Sequence, residues 1–281
     1  MLIVMSKKEP KIAIPDRPLG VTHFATTGQG IGTLKSSLYI NSRPSSDLNG
    51  IKILLWNTIP GEAISKFQII KQEPHFIEGI ALEIDKTSDS RITPKDAQYL
   101  STSPWQIISP SSELQAKTAI LSSLFNQLRN QFHDIDFPPQ IPIYESPNDY
   151  FYRNKMEYSL YFDHQSEKIQ LAVHVRGSHR KLPITTSSLE LPSIFDQANT
   201  IISELNRTHQ DARTFQSLLL RANQAGVVSG GLLENGKPHP VFSNLTDTLL
   251  GNNYSYSPNG FFQINLPVYE QVLLKIRDFL T

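Results

Sequence analysis

The spacing of apolar residues changes character three times along the chain. Between Val21 and Ile84 they fall in short β-type runs: Gly28–Leu34, Ile51–Leu55, Ala63–Lys71 and Phe76–Ile84. The polar loop Asn41–Gly50 and the turn Pro60-Gly61-Glu62 separate these runs. Short strands punctuated by turns predict a small closed β-barrel. Ser109-Pro110 then combines a cap with a first-turn proline, and Leu114, Leu121, Leu124 and Leu128 follow at helical spacing up to the breaker Asp136-Phe137-Pro138-Pro139. From Tyr150 the period returns to two. Arg153, Lys155, Glu157 and Ser159 alternate with Asn154, Met156, Tyr158 and Leu160. A polar turn at Asp163–Lys168 makes a hairpin with Gln170–Val175, and Ser193–Asn206 reads as an amphipathic helix. Two strands (Phe215–Asn223 and Gly226–Leu233) and an Asn235-Gly236 hairpin signal come next. The last helix spans Leu266–Leu280, with Asn265 as N-cap, Pro267 in its first turn, and Val268, Val272, Ile276 and Phe279 forming one stripe.

The pattern gives an α+β chain: a tail over 1–18, a barrel over 19–88, an antiparallel-sheet α+β domain over 95–257, and a closing segment over 258–281. A length of 281 residues suits two domains, and 39% apolar with 19% charged residues is ordinary for a globular protein. Net charge is zero, so any nucleic-acid-binding surface has to be local. Arg153, Lys155, Arg176, Arg180 and Lys181 supply such a concentration within one hairpin and its loop. Phosphate contacts need cations held in position, and the arginine fork suits them; ordinary salt bridges on an exposed sheet face are the other reading. The chain has no cysteine, which excludes disulfides, thiolate metal sites and a cysteine nucleophile from these residues. Its eight histidines lack metal-site spacing. No apolar run reaches membrane-spanning length and no signal peptide opens the chain, so a cytoplasmic protein with no membrane partner is expected.

One stretch is more specific. Ser257-Pro258-Asn259-Gly260-Phe261-Phe262-Gln263-Ile264-Asn265, followed by an amphipathic helix, resembles the entry into the catalytic domain of S-adenosylmethionine-dependent RNA uracil-C5 methyltransferases. Gly28-x-Gly30-Ile31-Gly32, Ile59-Pro60-Gly61-Glu62 and Ser90-Arg91 resemble the OB-like TRAM barrel at the front of that family. Tyr152-Arg153-Asn154-Lys155-Met156-Glu157 and the later Arg176-Gly177-Ser178 resemble its central RNA-binding domain. Ser103, ahead of Trp105-Gln106, and the Ser187-Ser188 region stand where many members carry iron–sulfur cysteines, which implies a cluster-free branch.

The resemblance implies a tRNA or rRNA uridine C5-methyltransferase using S-adenosylmethionine. Gln263 would contact the cofactor or flipped-base region. Arg153, Lys155, Arg176, Arg180, Lys181, Phe261 and Phe262 would face RNA, with core packing the alternative for the two phenylalanines. In this family a thiolate adds to C6, C5 accepts the methyl group and a base removes the C5 proton. With no cysteine and no Gly-rich loop after the last helix, the sequence reads as the front of such an enzyme. Its Rossmann-type methyltransferase domain is expected to be absent, the chain alone inactive, and a separate catalytic domain a possible partner. A non-catalytic RNA-binding module is the alternative, and a protein-interaction module a third reading.

Overall fold

The computed structural model describes residues 10–45, 48–135, 138, 141–209, 211, 214–234, 236–239 and 241–280. The expected features at Asp136, Phe137, Pro139 and Asn235, and the first half of the expected tail, lie outside those residues. The chain divides into two compact units, Met1–Pro94 with Pro104–Pro142, and Lys95–Ser103 with Ile143–Thr281.

The first unit is built on nine strands: β1 (Lys11–Pro15), β2 (Leu19–Gly20), β3 (His23–Phe24), β4 (Gly30–Thr33), β5 (Leu38–Ile40), β6 (Arg43–Ser45), β7 (Lys52–Trp56), β8 (Ala63–Gln72) and β9 (Phe76–Lys86). Lys11–Pro15, read from sequence as tail, is a strand that pairs with both β5 and β8. The stretch from β1 to β3 joins β8 at one end and β4 at the other, so the pairings return on themselves through β7 and β9. The core behind them includes Ile53, Leu55, Ile64, Phe67 and Ile77. Phe67 is fully buried there, and Lys66 pairs with Glu83 at 2.7 Å. The Gly-rich strand is needed for close approach: a Cβ at Gly32 would stand 2.6 Å from the Gly20 carbonyl oxygen.

The fold class expected from sequence is corrected at this sheet, which is mixed. The long β8–β9 hairpin places its second strand between β8 and β7. Being antiparallel to β8, β9 is therefore parallel to β7.

The turn after β7 is fixed by a buried ion pair. Glu62, 1% exposed, accepts from the Ile59 N–H at 2.9 Å, from Arg91 Nε at 2.6 Å and from Arg91 Nη2 at 2.8 Å. Arg91 Nη2 also donates to the Asn57 carbonyl at 3.0 Å. The two motifs quoted separately in the sequence, Ile59–Glu62 and Ser90-Arg91, are thus one clamp. Trp105 donates to the Gly28 carbonyl at 2.7 Å and packs on Phe24. α2 (Pro110–Gln131) starts at Ser109, whose Oγ accepts from the Ser112 N–H, and none of its residues is fully buried.

The second unit has a six-stranded antiparallel sheet, formed by β10 (Lys155–Asp163), β11 (Lys168–His174), β12 (Lys181–Pro183), β13 (Ser217–Ala222), β14 (Val228–Glu234) and β15 (Lys237–His239), in the order β12-β11-β10-β13-β14-β15. α1 (Tyr99–Thr102) belongs to this unit, and α3 (Pro192–Arg207) packs on one sheet face. The alternation read from Tyr150 onward holds. Met156, Tyr158 and Leu160 enter a core with Leu218, Leu220 and the α3 residues Ile194, Ala198, Ile202 and Leu205. A two-stranded ladder, β16 (Leu245–Leu249) with β17 (Asn252–Tyr256), leads into the Ser257–Asn265 segment and α4 (Leu266–Leu280). No helix among the described residues is long and apolar enough to cross a membrane.

Candidate nucleic-acid interface

The sheet face opposite α3 carries the polar positions. Strand register pairs Lys155 with Arg221, Glu157 with Leu219 and His174 with Lys181, so these side chains share that face. Ser217 donates to Glu157 at 2.6 Å, and the Ser159 hydroxyl lies 3.0 Å from His174 Nε2.

The Ser257–Asn265 segment is anchored to one end of this face through its main chain. Lys155 Nζ donates to the Asn259 and Gly260 carbonyls, each at 3.4 Å. Arg221 donates to the Gly260 carbonyl at 3.2 Å and to the Phe262 carbonyl at 2.9 Å. Asn154 completes the anchor: its Nδ2 donates to the Gln263 carbonyl at 3.1 Å and its N–H to the Ile264 carbonyl at 3.2 Å. Carbonyls held by cations fix a backbone path that has no sheet ladder of its own. Burial, then the Arg221 charge, lowers the Lys155 pKa, with Glu157 opposing. Burial also lowers that of Arg221, with Tyr256 and Asp247 opposing.

Beneath the segment, Phe262 stacks on Tyr256 with centroids 4.1 Å apart and planes 14° from parallel. The Arg221 guanidinium lies 5.3 Å from the Tyr256 ring centroid. The Tyr256 hydroxyl donates to Asp247, which also accepts from the Gln224 N–H at 2.6 Å. Burial and that carboxylate push the Tyr256 phenol well above the usual tyrosine range.

The residues proposed from sequence therefore separate. Phe262 is half-buried in the stack, whereas Phe261 beside it is 89% exposed. Gln263 is half-buried with its carbonyl fixed by Asn154. Arg153 lies where its main chain bonds Leu189 and Leu191, and its Nε is buried without a partner. Arg176 holds α1 by donating to the Leu100 carbonyl, and its N–H donates to Ser101 Oγ at 3.2 Å. Lys181 donates to the Leu160 carbonyl at 2.7 Å, and the Arg180 side chain is exposed. Lys155 is brought to the segment, while Arg176, Arg180 and Lys181 belong to the β11–β12 edge. Ser187 and Ser188, at the expected cysteine positions, bond carboxylates: Ser188 Oγ donates to Asp96 at 2.8 Å and Ser187 Oγ to Glu190 at 2.6 Å.

Sequence reading missed Arg221, Asn154, Tyr256 and Asp247. The signal for Arg221 was present as a lone charge inside the apolar run Leu218-Leu219-Leu220-Arg221-Ala222.

No protein-family model matches the chain. The chain is similar to RNA methyltransferases. It is 22% identical to an uncharacterized RNA methyltransferase of Lactobacillus johnsonii, over 92% of this chain and 62% of that protein. It is 20% identical to another from Thermosynechococcus vestitus, over 93% and 64%. It is 23% identical to the 23S rRNA (uracil(1939)-C(5))-methyltransferase RlmD of Erwinia tasmaniensis, over 81% and 57%. The chain thus spans 57% to 64% of the length of these curated relatives. Among solved structures, it resembles the Pyrococcus abyssi tRNA (uracil-54, C5)-methyltransferase in complex with S-adenosyl-L-homocysteine. The TM-score is 0.62 at 13% identity, covering 93% of this chain and 65% of that one.

That fold match runs across almost the whole chain to a methyltransferase, and it overturns a fold class defined by an absent Rossmann-type domain. The expectations of inactivity and of a separate catalytic domain gain no support from these comparisons and are set aside.

The described residues near Gln263 do not by themselves fit S-adenosylmethionine. Gln263 offers one carboxamide, but no carboxylate lines the adjoining cavity to take a ribose diol or an ammonium group.

Proposed function

We propose that this chain serves an RNA uracil-C5 methyltransferase, with tRNA or rRNA as substrate and S-adenosylmethionine as methyl donor. The observation that carries the reading is the anchoring of Asn259–Gln263 by Arg221, Lys155 and Asn154 on a cation-bearing sheet face. The relatives named RNA methyltransferases support it. Arg180 and Lys181 at the sheet edge meet phosphates; Arg221 and Lys155 set the course of the segment; the exposed Phe261 ring offers a stacking surface to a base. Gln263 is the residue assigned to the methyl donor or target base. The 281 residues contain no cysteine, so the roles assigned here are binding and positioning.

A non-catalytic RNA-binding module is the second reading, favoured by that same lack of a thiol nucleophile. Incubation with tRNA or rRNA and methyl-labelled S-adenosylmethionine separates the two, since label in 5-methyluridine supports the enzyme. RNA affinity measured across a salt series tests what they share. The double substitution Arg180→Glu with Lys181→Glu is expected to lower affinity and flatten the log–log salt slope by about 1 per lost phosphate contact. An unchanged slope removes this edge from the interface.

A further inference from the structure

Within the second unit, Lys95 meets the two aromatic rings that precede β10, Tyr150 and Phe151. Its Nζ lies 4.6 Å from the Tyr150 ring centroid and 4.6 Å from that of Phe151, so one ammonium faces two rings. Lys95 is exposed, and among the described residues no carboxylate pairs with it.

Phe151 holds a backbone conformation that bulky residues rarely adopt. Its φ is +56°, where the Cβ crowds the following carbonyl oxygen. The surroundings impose that conformation. The Phe151 N–H donates to the Ser188 carbonyl at 2.8 Å. Ser188, 3% exposed, is fixed in turn by Asp96, 2% exposed: its N–H and Oγ donate to the two carboxylate oxygens at 3.0 and 2.8 Å. Asp96 follows Lys95 in the chain, so one buried carboxylate both fixes the partner of Phe151 and brings Lys95 beside its ring. Core packing does not account for the strain. Tyr152 packs against the core beneath the sheet, whereas Phe151 is 37% exposed. Strain held in place around an exposed ring is a feature of ligand clamps.

The groups presented narrow the ligand. The lysine ammonium is a compact charge suited to a phosphate, and the open ring offers a π-face to a flat partner. A nucleotide supplies both at once, a phosphate next to a base. An acidic peptide would leave the ring uncovered, and an apolar one would leave the ammonium without an anion. Phe151 and the Ile264-Asn265 end of the anchored segment line one cavity, which places the cluster beside the RNA face described above.

We propose that Lys95 and Phe151 hold one nucleotide of bound RNA, its phosphate on the ammonium and its base stacked on the phenylalanine ring, with Tyr150 backing the lysine. The proposal rests on the RNA reading above.

The test is fluorescence anisotropy of a labelled single-stranded RNA octamer and of a labelled tRNA across a salt series, run beside thermal unfolding. Phe151→Gly accepts the positive φ without strain, so its melting temperature is expected to stay within about 3 °C of the natural chain. Its RNA affinity is expected to fall about tenfold with the salt slope unchanged. Phe151→Tyr keeps the ring and is expected to keep the affinity. Lys95→Met keeps a stem over the rings but loses the charge, and is expected to lower the log–log salt slope for the octamer by about 0.7. Natural affinity in Phe151→Gly, an affinity loss shared by Phe151→Tyr, or an unchanged slope in Lys95→Met overturns the proposal. An affinity loss in Phe151→Gly that comes with a larger fall in melting temperature assigns the ring to packing and also overturns it. If RNA binds with a salt slope that these variants leave as it was, the nucleotide clamp fails and the RNA reading stands. If neither RNA binds the natural chain, the RNA reading fails with it.

Discussion

The two units bury polar groups in opposite ways. In the first, Glu62 and Arg91 form a clamp in which the carboxylate takes two guanidinium donors and a backbone N–H, and the guanidinium also reaches the Asn57 carbonyl. In the second, Arg221 at 1% exposure and Asn154 at 4% bind main-chain carbonyls, yet each keeps one buried atom without a partner. Arg153 Nε and Asn265 Oδ1 complete the set, so all four such atoms among the described residues lie in the second unit. A saturated buried network fixes a turn and asks for nothing more. In the second, the incompletely satisfied groups Arg221 and Asn154 hold a segment that carries an 89%-exposed phenylalanine. Motif resemblance alone does not separate these roles, since Glu62 and Gln263 both lie in quoted motifs.

Breaking the clamp carries the largest expected effect. Glu62→Ala leaves a largely buried arginine unpaired and should cost about 3–5 kcal/mol of first-unit stability in urea unfolding. A loss within about 0.5 kcal/mol would show that the clamp is not structural. Arg221→Met comes next, removing charged hydrogen bonds worth about 1.5–3 kcal/mol. Amide exchange at Gly260–Gln263 should accelerate while the first unit stays protected, and unchanged exchange there would mean that Arg221 does not hold the segment.

The smallest effect concerns Tyr158, whose hydroxyl donates to the fully buried Glu190. Burial, followed by the Glu190 charge and hydrogen bond, raises the Tyr158 pKa far above that of an unfolded tyrosine. The folded state therefore holds this proton more tightly than the unfolded one. The stabilisation is complete below pH about 10 and is lost as pH rises through the folded pKa. Tyr158→Phe should cost about 1–3 kcal/mol at pH 8, and its gap from the natural chain should narrow above pH about 10. A gap that stays constant with pH would contradict the assignment.

Much of this architecture could be read from local pattern. Period-two alternation placed Lys155 and Glu157 opposite Met156 and Tyr158, and α4 was expected over the residues where it is found, Leu266–Leu280. Long-range arrangement was not legible. The parallel β7–β9 pair depends on where a hairpin returns, and the Glu62–Arg91 pair spans 29 residues. The site was legible as a list of cations but not as a geometry. Arg176 and Lys181 turn to backbone carbonyls, and Arg221, inside an apolar strand, acts through contacts 39 and 41 residues away.

The most direct test is a hydrogen-exchange footprint of the chain with a tRNA or rRNA fragment bound. The account expects RNA to slow exchange in Ser257–Gln263 and across Val175–Lys181, with the protection fading as salt rises. Bound RNA that leaves both stretches exchanging at their free rates would contradict the assignment of this face as the interface.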